Sequence, residues 1–466
     1  MRVDVAIVGA GVSGLAAAYE LRCRGRSVVV LERQVHVGGN TVSERIGDFL
    51  MEHGPSSVTA ASTTAAALSH ELALEDQRVE LGPEVRRRYL TASGRLHGIS
   101  THPFGFLLSN YLSWPGRVRM AAEIVMPRGL GNGDESVAEF CHRRFGSEFA
   151  SRVMDPLVGG MFAGDASRLA MAEVFPALAD MERGEGSIIR GLIHRRLRGR
   201  KMPARRLFSW RDGIGMPPLR LAIRLAPSVR TGVAVRRITR VETGFRLEAG
   251  AHGAIDANAV VIATQPHVAA QLLEKVSPSA SGAAAAIEAP PLAVVFLGYR
   301  RRQVSHALDG LGYLTPSAEG RDLTGALFCS TMFEGRAPRG HVALAGYFGG
   351  ARAPHLAKLR REALVHLARA EFSDLLGAGG EPVVARVRQW PRGVPQYNVG
   401  HNSLVAVLKA TSEEVPGLYV TGNYFRGVSV AACLEQAVET ATRIDRFLPA
   451  LGRSAMPTLG NQAIVV

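Results

Sequence analysis

The segment "VDVAIVGAGVSGLAAAYELRCRGRSVVVLE" (3–32) constrains the fold of this chain more than any other stretch. The apolar run "VDVAIV" leads into a glycine-rich turn, and the turn leads into a helix-forming stretch that ends at Gly25. A second apolar run, "SVVVLE", follows and ends on Glu32. Strand, turn, helix and strand in this order form a βαβ unit of a parallel sheet. The segment therefore predicts an α/β protein built on a Rossmann-type sheet.

The turn "GAGVSG" (9–14) has the spacing of a dinucleotide-binding site. Gly9 permits the tight turn, Gly11 lets the backbone approach a diphosphate, and Gly14 lets the helix pack closely on the strand. The phosphates would lie at a helix N-terminus, where free N–H groups and the helix dipole favour an anion. Glu32 is placed to accept hydrogen bonds from ribose hydroxyls. A bound dinucleotide is therefore favoured over a purely structural turn.

The residues after Glu32 favour FAD over NAD. A glycine pair and an asparagine, Gly38, Gly39 and Asn40, precede a short predicted hairpin and the segment "EHGPSS" (52–57). NAD-dependent enzymes usually continue here into another helix and strand, whereas this extension suits a longer cofactor that leaves the sheet. We expect the three residues to approach the diphosphate or the ribityl chain, and Val235 to present backbone groups to the adenine.

The predicted elements place the cofactor site at both ends of the chain. Residues 231–264 alternate like a small antiparallel meander that ends in a buried strand, and residues 416–444 read as strand, glycine-rich turn and long helix. The N-terminus of that helix would favour negative charge on a reduced flavin. Residues 285–406 read as strands and loops. The sequence thus predicts a discontinuous Rossmann-type FAD-binding domain (1–84, 205–284 and 407–450), a helical, candidate membrane-docking insert (92–203) and a mixed-sheet substrate domain (85–91 and 285–406).

Composition excludes several other classes of protein. The 466 residues are 47% hydrophobic, without an apolar run near the roughly 18 residues that a membrane span needs. The N-terminal stretch suits a strand better than a signal peptide, so we expect a cytoplasmic protein. The four cysteines show no CxxC pairing and the histidines show no metal-ligand spacing, so no metal is expected. No feature of the sequence indicates an oligomeric state.

The formal net charge is +14, and residues 190–211 contain no acid. Three interpretations compete: nucleic-acid binding, docking on an anionic membrane surface, and a solvated basic face. The solvated face is favoured, and the inner face of a membrane comes next. Nucleic acid is not expected because no nucleic-acid-binding motif accompanies the run. The apolar residues within the run, including Phe208 and Trp210, support surface docking.

Several segments together resemble the protoporphyrinogen and coproporphyrinogen oxidases of haem biosynthesis, within the FAD-dependent amine-oxidase-like superfamily. They include "HGPSS" (53–57), "PLVGGMFAGDASRLAMAEVFP" (156–176), "GSIIRGLI" (186–193), "FEGRAP" (333–338), "PQYNVGH" (395–401) and "GNYFRGVSVAACLE" (422–435). The likeness covers nearly the whole chain. The glycine-rich turn and the last segment are shared across the superfamily, whereas "FAGD", "GRAP" and "PQYNVGH" are typical of the porphyrinogen oxidases.

The resemblance implies a set of FAD contacts spread over the chain. They are Gly9, Ala10, Gly11, Val12, Ser13, Gly14, Glu32, Arg33, Gly38, Gly39, Asn40, Gly54, Pro55, Ser56, Ser57, Val235, Trp390, Asn423, Val428, Ser429 and Val430.

The resemblance also implies a substrate site and a reaction. Arg88 in "RRRYL" (86–90) matches the family's substrate-carboxylate arginine, although a surface charge on an edge strand is the alternative. The loop "LGYLTP" (311–316) would pack Leu311 and Leu314 on the tetrapyrrole. The implied reaction turns protoporphyrinogen IX into protoporphyrin IX, or coproporphyrinogen III into coproporphyrin III, by hydride transfer to flavin. The flavin carries the chemistry, so no catalytic side chain is assigned, and oxygen or another acceptor takes the electrons.

Two departures keep other functions open. Asn40 follows the glycine pair where the family usually has a bulky or basic residue, and Ala432 replaces the usual acid before Cys433. The alternatives are an FAD-dependent amine oxidase or polyene desaturase, and a flavin-binding protein without oxidase activity. His53 and His401 adjoin glycines in these segments, but we expect them to be hydrogen-bonded structural residues.

Overall fold

The computed structural model describes residues 1–99, 106, 109–129, 134–198, 207–250 and 253–448. Its strands are β1 Arg2–Val8, β2 Val28–Leu31, β3 Ser43–Ile46, β4 Phe49–Glu52, β5 Val58–Thr59, β6 Arg78–Glu80, β7 Arg87–Ala92, β8 Arg95–Ile99, β9 Leu207–Trp210, β10 Val229–Arg230, β11 Arg237–Val241, β12 Gly244–Glu248, β13 Ala254–Ile262, β14 Leu292–Arg300, β15 Gly310–Leu314, β16 Leu323–Phe328, β17 His341–Gly349, β18 Val384–Trp390 and β19 Leu418–Val420.

The α-helices of the same residues are α1 Val12–Cys23, α2 Thr63–Glu71, α3 Trp114–Ala121, α4 Val137–Phe145, α5 Ser147–Phe149, α6 Asp155–Phe162, α7 Met171–Val174, α8 Pro176–Glu185, α9 Ile188–Leu197, α10 Met216–Leu225, α11 Pro266–Leu273, α12 Pro278–Ala286, α13 Cys329–Met332, α14 Arg361–Leu376, α15 His401–Glu414 and α16 Val430–Phe447. A single π-helical turn, Ala150–Met154, joins α5 to α6.

The first sheet has the order β10-β2-β1-β13-β12-β11, and β19 pairs with the end of β13. The pairs β1–β2, β1–β13, β2–β10 and β13–β19 are parallel, whereas β11, β12 and β13 form an antiparallel meander. Val28 to Leu31 and Val260 to Ile262 are fully buried, as expected for parallel strands covered on both faces. The α/β fold, the βαβ unit and the meander predicted from the sequence are confirmed.

Two cores cover the first sheet. One joins Leu15 and Leu21 of α1 to Ala437 and Ile444 of α16. The other joins the opposite face of the sheet to α11, α12, α15 and the helices α4 to α9. The first and last long helices, α1 and α16, thus cover the same face of the first sheet.

The second sheet is mixed, with the order β18-β14-β17-β16-β15-β7-β8. Only β7 and β15 run parallel in it. One of its faces packs on Leu364, Ala368 and Phe372 of α14, and the other meets Phe49 and Met51 of the hairpin β3–β4. The hairpin therefore covers the face of the second sheet opposite α14.

Three local expectations need correction. Strand β8 lies within the range predicted to be helical, and it extends the mixed sheet by pairing with β7. The 16-residue helix α14 lies in a range read as strands and loops. The predicted loop 311–316 begins on strand β15. Pairing with β7 decides the conformation of β8 and β15, whereas α14 carries a helical spacing of apolar residues that the prediction missed.

Candidate active site

The glycine-rich turn lies at the carboxyl end of β1, where each glycine has a different steric role. Gly9 has φ +106°, and a Cβ there would come 2.6 Å from the Ala263 carbonyl oxygen. A Cβ at Gly14 would come 2.0 Å from the Gly9 oxygen, so only glycine lets α1 approach this closely. Gly11 has no atom within 4 Å of its Cβ position. The turn is tightly packed on two sides and open at Gly11, as a diphosphate site requires.

Glu32 lies at the end of β2, beside this turn. Its carboxylate accepts hydrogen bonds from the Ala10 N–H and the Gln34 N–H, both at 2.8 Å. Its backbone oxygen accepts from Val233 at 2.8 Å, which holds the loop with half-buried Val235 against the same strand end. Arg33 is exposed next to it. The residues predicted for the ribose and adenine thus share one strand end.

The glycine pair and the segment Gly54–Ser57 continue this surface. Gly38 N–H donates to the Ala10 oxygen at 2.8 Å, and a Cβ at Gly39 would lie 3.3 Å from Gly11 Cα. A Cβ at Gly54 would lie 2.4 Å from the Asn40 oxygen. Pro55, Ser56 and Ser57 are half-buried. The structure therefore brings these distant segments to one edge of the first sheet.

The C-terminal turn approaches the same edge through β19 and α16. Ser429 caps α16 by accepting from the Ala432 N–H at 3.1 Å, and the first turn of the helix contains no acid. Val428 is half-buried and Val430 is buried. A helix N-terminus without an acid favours an anionic or electron-rich group nearby.

The "PQYNVGH" segment holds that turn in place. The buried Tyr397 hydroxyl donates to the Asn423 oxygen at 2.7 Å and accepts from the Gly427 N–H at 2.8 Å. His401 Nε2–H donates to the Tyr424 oxygen at 2.9 Å, and burial lowers the pKa of His401, so its ring is neutral. The structural role expected for His401 is confirmed. The sequence had marked the segment, but not Tyr397 as its central contact.

Trp390 links the second sheet to the segment Gly54–Ser57. It ends β18, and its Nε1–H donates to the His53 oxygen at 2.9 Å. The Arg388 guanidinium lies 4.1 Å from the centre of the Trp390 ring. The His53 ring pairs with Glu44 at 2.8 Å, which confirms that His53 is a hydrogen-bonded residue. Trp390 is thus held beside the residues predicted to contact the flavin.

The predicted substrate residues lie on the second sheet. Arg88 is exposed on β7, and by strand alternation its side chain shares a face with that of Leu90. Leu90 pairs with Leu314, whose side chain packs so closely on Gly160 of α6 that a Cβ at Gly160 would lie 2.2 Å from it. Leu311 is half-buried and lies where the pairing of β15 with β7 shifts register, between Gly310 and Tyr313. Arg88 and Leu314 therefore face the helices α3 to α6.

The alternate face of β7 is occupied by a separate polar cluster. The Tyr89 hydroxyl donates to Asp309 at 2.5 Å, and Arg87 lies 3.5 Å from the same carboxylate. The hydrogen bond from Tyr89 lowers the pKa of Asp309. The cluster lies on the other face of β7 from Arg88, so Arg87 faces away from Leu314.

The basic run is only partly described, since residues 199–206 lie outside the described residues. Its apolar residues Phe208 and Trp210 are only 1% and 2% exposed, because β9 pairs with β5 and β6. The expectation that they support surface docking is therefore wrong.

Comparisons with known proteins identify relatives of this chain. Residues 12–445 match the family described as flavin containing amine oxidoreductase. A chloroplastic protoporphyrinogen oxidase of Nicotiana tabacum is 29% identical, over 96% of this chain and 86% of its own length. A coproporphyrinogen III oxidase of Propionibacterium freudenreichii is also 29% identical, over 94% of this chain and 90% of its own length.

Solved structures share the fold. A protein from Exiguobacterium sp., assigned to protoporphyrinogen oxidase activity by name only, has a TM-score of 0.83 at 22% identity, covering 96% of this chain and 98% of its own. Cyclohexylamine oxidase from Brevibacterium oxydans has a TM-score of 0.70 at 18% identity, covering 95% and 99%. The family match covers most of both sheets and the predicted cofactor contacts from Val12 onward. The chain therefore belongs to the family of flavin-containing amine oxidoreductases and is an FAD-dependent oxidoreductase.

Proposed function

We propose that this chain is a porphyrinogen oxidase of haem biosynthesis, acting on protoporphyrinogen IX or coproporphyrinogen III. The curated relatives with these names align over nearly the whole chain. The observation that carries the proposal is the position of Arg88, an exposed guanidinium on the same sheet face as the apolar Leu314. A porphyrinogen offers the matching chemistry, since it is an apolar macrocycle with carboxylate tails.

FAD would be held along the edge of the first sheet. The residues that would hold it are Gly9, Ala10, Gly11, Val12, Ser13, Gly14, Glu32, Arg33, Gly38, Gly39, Asn40, Gly54, Pro55, Ser56, Ser57, Val235, Trp390, Asn423, Val428, Ser429 and Val430. The open space at Gly11, beside the closely packed Gly9 and Gly14, fits a diphosphate. When bound, FAD supplies the hydride acceptor, which oxygen or another acceptor reoxidises.

The protein's own residues bind and orient the substrate in this proposal. Conversion to the porphyrin repeats a two-electron step, in which one bridging carbon loses a hydride and the macrocycle releases a proton. Arg88 anchors a carboxylate through its paired N–H donors, and Leu311 and Leu314 contact the apolar ring. The second sheet and α6 exclude bulk water, and the N-terminus of α16 favours the negative charge that the reaction leaves nearby.

Changing Arg88 to alanine is expected to raise the apparent KM by roughly 10- to 100-fold, because a charge-assisted hydrogen bond contributes about 1.5–3 kcal/mol. The flavin content should not change. Aerobic incubation with each porphyrinogen, followed by porphyrin fluorescence, measures the effect. Arg87→Ala is the matched control, since Arg87 lies on the opposite face of the same strand. Equal kinetics in wild type and Arg88→Ala would remove the role of Arg88.

The same assay separates the alternative functions. An amine oxidase would release hydrogen peroxide with amines and leave porphyrinogens at their background rate of oxidation. A flavin-binding protein without oxidase activity would show the flavin absorbance without turning over either class of substrate. Faster porphyrin formation with one of the two porphyrinogens would identify the substrate.

We also propose that the insert docks this protein on the inner face of an anionic membrane. Among the described residues, no helix is long and apolar enough to cross a bilayer. The exposed apolar side chains of the insert include Trp114 and Val118 on α3 and Ile193 and Leu197 on α9. The last turn of α9 carries His194, Arg195 and Arg196 beside Ile193 and Leu197. Apolar residues next to basic ones suit an anionic lipid surface.

Replacing both Trp114 and Leu197 with aspartate should reduce the fraction that sediments with phosphatidylglycerol vesicles several-fold, because apolar contact is lost and negative charge is added. Val383→Asp, at an exposed site just before β18, is the control and should sediment like wild type. Wild-type protein that stays in the supernatant at both low and high salt would contradict membrane docking.

A further inference from the structure

The segment "FEGRAP" places a buried arginine between strand β9 and the hairpin β3–β4. Arg336 lies between α13 and β17 and is 2% exposed. Its guanidinium donates to Ser209 Oγ at 2.8 Å and to the backbone oxygens of Trp210 and Arg211, both at 3.2 Å. Its remaining partner is the carboxylate of Glu52, 3.3 Å away. A side chain of the second sheet thus reaches β9 and the hairpin β3–β4.

Glu52 is bonded from the other side as well. It is 9% exposed, and it accepts hydrogen bonds from the Ser43 hydroxyl and, at 3.0 Å, from the Ile214 N–H. Ser43 Oγ in turn accepts from the Gly215 N–H at 2.9 Å. A Cβ at Gly213 would lie 2.1 Å from Ser43 Oγ. The pair is therefore enclosed by the hairpin and the loop that follows β9.

Glu52, the acidic partner of Arg336, lies just before a segment predicted to contact FAD. Glu52 is the last residue of β4, and the segment Gly54–Ser57 starts two residues later. The backbone of Arg336 also accepts from the Leu50 N–H at 3.2 Å, so it binds β4 through main chain and side chain together. Between Glu52 and Gly54, the backbone oxygen of His53 accepts a hydrogen bond from the Trp390 Nε1–H. Contacts from β4 and from β18 thus both fix the start of the segment Gly54–Ser57.

We propose that Glu52 and Arg336 are positioning residues that set the place of the segment Gly54–Ser57, and with it the flavin environment, relative to the substrate sheet. The inference rests on the proposed FAD contacts of that segment. Apolar replacements of buried ion pairs are often neutral or stabilising, so stability alone gives little reason for two charges here. Directed hydrogen bonds to five separate groups, by contrast, fix the register of three chain segments. Burial raises the pKa of Glu52 to about 7, and the Arg336 guanidinium opposes that rise.

The test compares FAD affinity and flavin midpoint potential in purified holoprotein and in apoprotein titrated with FAD. Arg336→Met is expected to weaken FAD binding at least tenfold and to shift the midpoint potential and the visible spectrum. Arg336→Lys should recover part of the lost FAD affinity. It keeps the positive charge beside Glu52 but lacks the several N–H donors of the planar guanidinium. Glu52→Gln keeps the shape and the Ser43 contact, but its amide nitrogen replaces the oxygen that accepts from Ile214 and pairs with Arg336, so it removes the charge pair together with the Ile214 hydrogen bond.

A second buried pair provides the matched control. Arg144 and Glu123 of the insert are both 0% exposed and ion-paired, but they lie outside the segments predicted to contact FAD. Arg144→Met should lower thermal stability while leaving FAD affinity within about twofold of wild type. If Arg336→Met and Glu52→Gln both bind FAD like wild type with an unshifted potential, the proposal is wrong. The proposal is equally wrong if Arg144→Met changes both quantities as much as Arg336→Met does.

Measurements on the wild-type protein test the proposed function separately from the positioning role. Wild type that binds FAD but oxidises neither porphyrinogen would overturn the porphyrinogen oxidase assignment, while the variant series still decides the positioning role. Wild type that fails to bind FAD would overturn both.

Discussion

Gly14→Ala should abolish measurable FAD binding and destabilise the apoprotein. The added Cβ would lie 2.0 Å from the Gly9 oxygen, far inside van der Waals contact, so α1 must move away from the turn. Such overpacking costs about 3 kcal/mol, and the displaced helix N-terminus no longer faces the diphosphate. The measurements are flavin absorbance after purification and thermal unfolding of the apoprotein.

Gly11→Ala separates loss of FAD binding from loss of stability, which Gly14→Ala combines. Gly11 has φ −76° and ψ 177°, which alanine adopts freely, and its Cβ position has no atom within 4 Å. The apoprotein should therefore unfold at the wild-type temperature. FAD affinity should nevertheless fall by about 100-fold, because the methyl group occupies the space through which the backbone approaches a diphosphate. Normal FAD binding by Gly11→Ala would contradict the placement of the cofactor.

Arg144→Met is expected to lower the unfolding free energy of the insert by about 3–5 kcal/mol, because it leaves a buried carboxylate without its cation. The Arg144 side chain donates to Glu123, to the Met126 and Pro127 oxygens at 3.1 and 2.9 Å, and to the Gly186 oxygen at 3.0 Å. The variant therefore loses the contacts of Arg144 with Glu123 and with three backbone oxygens outside the helices. Denaturant unfolding followed by circular dichroism measures the change.

Glu123 makes this loss severe. It also accepts from Ser187 Oγ at 2.6 Å and from the Ile188 and Ile189 N–H groups at 2.9 and 3.0 Å. Burial acts to raise the pKa of Glu123, but hydrogen bonds from Ser187 and Arg144 outweigh it and the pKa is lowered. The control is Arg183→Met, whose pair with Asp180 is well exposed, and which should cost under about 0.5 kcal/mol. Equal losses in the two variants would contradict the importance of burial.

The parts of the site carried by local patterns were predictable. The turn at Gly9–Gly14, the strand that ends on Glu32 and the glycine-rich turn before α16 each show their conformation through nearby glycines and apolar periodicity. The fold class follows from the same signals, since a βαβ unit at one end and a strand-turn-helix at the other need a common parallel sheet.

The parts that depend on distant partners were not predictable. Trp210 was expected at the surface because its neighbours in the sequence are basic, yet pairing of β9 with β6 buries it. Strand β8 carries no alternating pattern strong enough to separate it from the helices that follow. Arg336 and Glu52 are far apart in the chain, and nothing local to either residue indicates a partner. Long-range pairing thus decides what local patterns leave open.

The first sheet also determines when this protein can complete its fold during synthesis. Its last parallel strand, β19, pairs with β13 only after Leu418–Val420 have left the ribosome, and α16 follows later still. Until then the carboxyl half of β13 is an open, strongly apolar edge, and such edges recruit other strands. A ribosome that stalls before residue 418 would therefore release an aggregation-prone chain, and chaperone demand should be highest near the end of translation.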